Sequence, residues 1–185
     1  GETVALSARV LDAEGFTIPG VDVTWASSDP EVATVSTGGM VQGVGLGSTI
    51  IQVSHEGLSA GSTVHVVAGA VDQIVLVSGG DQAAAVGTTL PSPVQVRVLD
   101  AAGFPVEGAE VEWAASGSGS ALHSSTVADP SGLTSTQWTL GATAGPQSLT
   151  VSSGSASLEV TATAVPVGPG SVAISPSDGD FTWLG

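Results

Sequence analysis

Slid along itself by 88 residues, this sequence lands one stretch on another without a gap. "LSARVLDAEGFTIPGVDVTWASS" (6–28) falls on "VQVRVLDAAGFPVEGAEVEWAAS" (94–116). The matches are Arg9/Arg97, Val10/Val98, Leu11/Leu99, Asp12/Asp100, Ala13/Ala101, Gly15/Gly103, Phe16/Phe104, Gly20/Gly108, Val23/Val111, Trp25/Trp113, Ala26/Ala114 and Ser28/Ser116. Twelve identities in 23 positions at a domain-sized spacing mean two related modules in tandem. Whatever one copy folds into, the other must approximate.

The pattern inside the copies is alternation, the signature of half-buried strands. Val4, Leu6, Ala8 and Val10 fall on one face; so do Val21, Val23 and Trp25, and Val94, Val96 and Val98. "STVHVV" sets Val64 and Val66 against Thr63 and His65. Between these runs stand turn signals such as "AEGF", "SSDP", "AAGF" and "DPSG". Each repeated unit reads as a strand ending at "VLD", a glycine turn, and a return strand that carries Trp25 or Trp113 inward as a core anchor. The fold class expected is all-β, tandem antiparallel sandwiches.

Composition narrows function. The chain has 185 residues, 17 acids, only Arg9 and Arg97 as fixed cations, a formal charge of −15, and no Cys, Lys, Asn or Tyr. Nucleic acid and anionic membrane surfaces need the basic residues that are missing. The acidity suits solubility and cation-rich, extracellular surroundings. No apolar run is long enough for a spanning helix, and none has the form of a signal peptide. If the protein is exported, its signal is expected outside these residues.

Residues 1–67 resemble a bacterial immunoglobulin-like domain of group 2. The resemblance rests on "VTWASSDPEVATVSTGGMVQGVGLGSTIIQV" (23–53), where Ala26, Ser27, Ser28, Asp29, Val32, Ala33, Thr34, Val35, Gly39, Val41, Gly43, Gly47 and Ile51 follow the family pattern. Residues 71–164 resemble the group 1 relative of intimin- and invasin-type adhesin stalks, on "GDQAAAVGTTLPSPVQVRVLDAAGFPVEGAEVEW" (80–113) and "DPSGLTSTQWTLGATAGPQSLTV" (129–151). The resemblances imply immunoglobulin-like sandwiches in a bacterial surface or secreted protein, with no catalytic residues and no cofactor. The organisation expected is 1–68, a group 2 domain lacking its first strand; 69–165, a group 1 domain; and 166–185, a linker plus the first strand of a next group 2 domain.

That last element carries the partner expectation. "SVAISPSDGDFTWLG" (171–185) reads as a first strand, equivalent to "QIVLVSGGDQAAAVG" (73–87), and read into the start of the sequence it gives "FTWLGETVALSARV". Val172, Ile174, Phe181, Trp183 and Leu184 form its apolar set. The expected partner is another copy, joined head-to-tail with its first domain completed by this strand, either as one covalent repeat of period 184 or as subunits donating strands. A host or environmental surface is a second expected contact.

Sites with chemistry are sparse. "GLSAG" (57–61) matches the nucleophile elbow around Ser59, yet its flanks are strands and a hairpin accounts for it. "GVGLG" (43–47) lacks dinucleotide spacing and a following helix, and reads as a close-packed turn. His55, His65 and His123 have no zinc-ligand spacing. Asp12, Glu14, Asp29, Asp72 and Asp100, beside turns or the junction, are the weak candidates for a structural calcium ion. The alternative to a structural or adhesive repeat is a carbohydrate-binding or accessory module of a secreted protein, for which Trp138 and Trp183 are the rings that would need to be exposed.

Overall fold

The computed structural model describes residues 2–168, and all of their regular structure is β. The N-terminal unit holds β1 (Thr3–Ala5), β2 (Thr24–Ser27), β3 (Ala33–Val35), β4 (Met40–Gly43), β5 (Gly47–His55) and β6 (Leu58–Val66). They form two sheets, β1-β4-β3 and β2-β5-β6. The C-terminal unit holds β7 (Val71–Ser78), β8 (Gln82–Ala85), β9 (Val94–Asp100), β10 (Glu110–Ala115), β11 (Ser120–Ala121), β12 (Ser125–Val127), β13 (Leu133–Thr136), β14 (Trp138–Thr139), β15 (Gly145–Ser153) and β16 (Ala156–Val165). Its sheets are β13-β9-β7 and β12-β10-β15-β16-β8, with a small β11-β14 ribbon. Each unit is a two-layer sandwich, and no sheet mixes strands of the two.

The repeat is visible in the pairing. Trp25 stands opposite Val53 and Trp113 opposite Val151. The hairpins β5–β6 and β15–β16 turn through two residues each, His55 facing Leu58 and Ser153 facing Ala156. The glycine turn is the same in both copies. Asp12 N–H donates to Phe16 O and Asp100 N–H to Phe104 O, both at 2.9 Å, with Gly15 and Gly103 at φ of 88° and 86°. Glycine alone adopts that backbone without strain.

The cores differ. The C-terminal unit buries Ile74, Leu90, Val94, Val96, Val98, Val111, Trp113, Trp138, Leu140, Leu149, Val151 and Val160 with four alanines. Among the described residues, the hydrophobic core of the N-terminal unit fully buries only Ala33, Val41 and Ile51, with Leu6, Trp25, Val35, Val64 and Val66 half-buried against them. Trp113 is 4% exposed and donates from its indole nitrogen to Thr126 Oγ1 at 2.7 Å. Trp25, at the matching position, is half-buried.

One sequence expectation changes here. "TVALSARVLD" alternates as a strand throughout, but ladder pairing covers only Thr3–Ala5; Leu6, Ala8 and Val10 alternate half-buried without it. Its counterpart β9 lies between β13 and β7, whereas β1 has a neighbour on one side only among the described residues. The register differs as well. Gly39 and Gly132 close equivalent turns, yet Gly39 O accepts from Leu6 N–H and Gly132 O from Val98 N–H, both at 2.8 Å. Val98 aligns with Val10, so the N-terminal strand sits four residues away from the repeat alignment. Because the slip is even, every side chain keeps its face.

Candidate functional site

The site builds from what the N-terminal unit leaves unfilled. Two clefts flank residues 6–11. One, of about 230 Å³, is lined by Val10, Val23, Val53, Leu58 and Ala60 among others; the second, of about 460 Å³, runs past Leu6, Ile18 and Trp25. In the C-terminal unit the counterparts Val98, Val111, Val151 and Ala156 lie in one buried cluster with Ile74 of β7. Leu58 is 64% exposed, while its counterpart Ala156 is 9% exposed. The apolar lining is therefore core that lacks a cover among the described residues. Burying it is favourable by roughly 25 cal/mol per Å².

The open edges coincide with the clefts. β9 is covered on one side by β7, and β16 is covered by β8, its parallel neighbour, with Ala162 opposite Gln82 and Val165 opposite Ala85. Among the described residues, β1 has no counterpart of β7 and β6 none of β8. Open edges of this kind invite another strand.

The acidic candidates serve turns. Asp12 Oδ1 accepts from Glu14 N–H at 3.1 Å and Phe16 N–H at 2.8 Å; Asp29 Oδ1 accepts from Glu31 N–H at 3.1 Å. Asp100 Oδ1 accepts from Ala102 N–H and Phe104 N–H at 2.9 and 2.8 Å, and its Oδ2 accepts from Gly69 N–H at 2.8 Å. That last bond ties the segment between the units to β9. The Gly69 amide holds the Asp100 carboxyl below its ordinary range; burial pushes the other way, and the Phe104, Ala102 and Gly103 amides add to the lowering. Asp129, which sequence reasoning passed over, has the same motif: its carboxyl is lowered first by the Ser131 hydroxyl and then by Leu133 N–H. Its "D-P-S-G" context was the available signal. Glu14 and Asp72 are exposed, and among the described residues no three His, Asp or Glu side chains converge as a metal set.

The remaining candidates separate. Ser59 is the second residue of β6, opposite Ser54 and close after a two-residue hairpin at Glu56–Gly57, rather than at a strand-to-helix elbow. His55 Nδ1 bonds Asp22 O at 2.9 Å, His65 Nδ1 bonds Ser48 Oγ at 2.7 Å, and His123 is exposed. In "GVGLG" a Cβ on Gly45 would meet the backbone oxygen of Glu31 at 2.7 Å, so packing requires that glycine, and one on Gly43 would crowd Val66 at 3.2 Å. Trp138 is fully buried, which corrects its role as a ring to watch for sugar stacking: β14 faces the core. Trp183 and the rest of the inter-copy set, Val172, Ile174, Phe181 and Leu184, lie outside the described residues. No helix of the described residues is long and apolar enough to cross a membrane.

Residues 1–66 match the family described as bacterial Ig-like domain (group 2). Among solved structures, the Escherichia coli adhesin FdeC is similar at 22% identity and TM-score 0.53, over 82% of this chain and 56% of that one. At this identity the likeness shows the fold, an immunoglobulin-like β-sandwich. The surface layer protein SbsC, domains 1–6, aligns at 23% identity and TM-score 0.45, over 91% of this chain and 24% of that one. SbsC domains 4 and 5 align at 23% identity and TM-score 0.44, over 88% and 82%. The chain thus spans about a quarter of the longer SbsC structure and just over half of the FdeC structure. No match was found among curated proteins.

Proposed function

We propose that this chain is a structural or adhesive repeat unit of a bacterial surface stalk, extracellular fibre or filament, without catalytic activity, and that successive copies join head-to-tail. In this reading residues 1–68 are a group 2 domain, 69–165 a group 1 domain, and 166–185 a linker with the first strand of the next group 2 domain. The observation that carries it is the contrast within the chain: in the C-terminal sandwich β7 covers β9 and β8 covers β16, while in the N-terminal one, among the described residues, the matching edges at β1 and β6 are open over an apolar cleft. The acidic surface keeps such a chain soluble outside a cell. The family match and the sandwich fold support the reading.

The test is a fusion of two copies in which Gly185 of the first serves as Gly1 of the second. Hydrogen exchange then compares the leading N-terminal unit with the one at the junction. The junction unit is expected to be the more protected by about an order of magnitude or more. Equal protection at both places would sink head-to-tail joining.

A further inference from the structure

The C-terminal unit shows how its own leading segment is held, and each holding group has a counterpart in the N-terminal unit that stands unoccupied among the described residues. We infer that residues 167–184 of a second copy enter the N-terminal unit in two steps, antiparallel along residues 7–11 and then parallel along residues 63–67, and that Asp12 Oδ2 latches their entry. This deepens the head-to-tail reading and rests on it.

The register follows from the pairs already formed. Ile74 stands opposite Val98 and Leu76 opposite Val96. The four-residue slip lies on the side facing β4; at the turn the repeat alignment holds, with Ile18 N–H donating to Val10 O at 2.8 Å as Val106 N–H donates to Val98 O at 3.1 Å. There the repeat carries Val98 and Val96 to Val10 and Ala8, and the alignment of 73–87 with 171–185 carries Ile74 and Leu76 to Val172 and Ile174. Val172 then meets the cleft lined by Val10, Val23, Val53 and Leu58, whose counterparts share one buried cluster with Ile74 in the other unit. The hairpin match of Ala156 with Leu58 carries the β16–β8 pairing over in the same way. Residues 180–183 fall beside Val64–Val67, with Trp183 opposite Val67, which is 78% exposed.

The latch is read from one carboxylate pair. Asp100 and Asp12 make the same two Oδ1 bonds, but only Asp100 uses Oδ2, on Gly69 N–H. Asp12 Oδ2 has no partner among the described residues. The counterpart of Gly69 in the incoming segment is Val167.

A second copy, rather than the chain's own tail, is the occupant on grounds of reach. β8 runs parallel to β16 and β7 leads into it, so the chain enters the C-terminal unit at one end and leaves at the other. The ten residues of β16 span about 33 Å. The residues between β16 and the strand, 166–170, cover at most about 17 Å. They do not reach back past the unit they follow.

The chain has no cysteine, so paired substitutions report without background. The full chain carrying Val10→Cys and Val172→Cys is oxidised and run on a non-reducing denaturing gel, beside an off-register pair, Val10→Cys with Ser175→Cys. Directly opposed residues of antiparallel strands lie within disulfide reach. The expected result is a ladder of linked chains for the first pair, well above the second. An internally closed monomer would overturn the second copy as occupant, and equal yields would overturn the register. Because either cysteine can disturb the fold, hydrogen exchange of the unaltered chain supplies a second readout. Raising concentration to about ten times the dissociation constant slows exchange at 7–11 and 63–67 roughly tenfold and leaves β7–β9 unchanged. Asp12→Asn, which keeps the Oδ1 acceptor, shifts that curve to higher concentration; no shift removes the latch. If fused copies protect their junction unit while the cysteine pair fails, joining stands and this register falls.

Discussion

Leu58 and Ala156 occupy the same corner of two matching hairpins, and one is solvent-exposed where the other is core. The same holds for Val53 and Val151, half-buried and buried, and for Trp25 and Trp113. Side-chain type does not explain these differences, since most pairs are identical or similar. The difference lies in the layer above them: β7 and β8 close the C-terminal unit, and no described strand does so for the N-terminal one. A near-repeat of sequence specifies a strand's face and turn. How deeply that face is buried is decided by a strand elsewhere in the chain, or in another chain.

The comparison can be broken most directly at the tryptophans. Trp113→Ala is expected to cost about 4 kcal/mol and Trp25→Ala, in the isolated chain, about 2 kcal/mol, because less of its ring leaves water. Urea titration with hydrogen exchange on each unit reads both. Equal costs would mean that the N-terminal core is already closed in solution. Next are the glycines that should behave alike. A Cβ on Gly39 would meet Leu6 O, and one on Gly132 would meet Val98 O, each at 2.6 Å and at positive φ. Gly39→Ala and Gly132→Ala should each cost about 2 kcal/mol, since strain and clash are local to a shared turn.

Asp100→Asn should cost about 1 kcal/mol at neutral pH, because its amide nitrogen would face the Gly69 N–H. The carboxyl is lowered in the folded state, so its contribution is present above the ordinary carboxylate range and is lost as pH falls through the folded value. The gap between wild type and variant is therefore steady near pH 7 and closes below about pH 4. Asp12→Asn in the isolated chain should show a smaller gap. The smallest effect is at the hairpins. Glu56 takes φ of 44° in a turn where the C-terminal hairpin uses Gly154 at 58°. Glu56→Asn should stabilise the N-terminal unit by about 0.5 kcal/mol, read from its urea midpoint.

Much of this was legible beforehand. Alternation gave the faces of Val94, Val96 and Val98, and the "D-A-x-G-F" turns folded alike because an aspartate and a glycine fix them locally. The four-residue slip of β1 was not legible, since register belongs to pairing between distant strands. Nor was the burial of Trp138, in a two-residue strand too short to show a period. The Asp100 bond to Gly69 spans 31 residues, and no spacing rule joins an acid to the amide of a linker.

The parallel alignment of β8 with β16 has a mechanical consequence. β8 follows the entering strand β7 and β16 is the last strand before the chain leaves the unit, and the two lie side by side over Gln82–Ala85 and Ala162–Val165. Tension applied through the neighbours on either side pulls them along their length in opposite directions. Every hydrogen bond of the patch is then loaded together in shear, instead of being peeled open singly from one end. The N-terminal unit has no such clamp among its described strands, so under load it yields first until a strand beside β6 supplies one. Rupture force measured unit by unit would read that order directly.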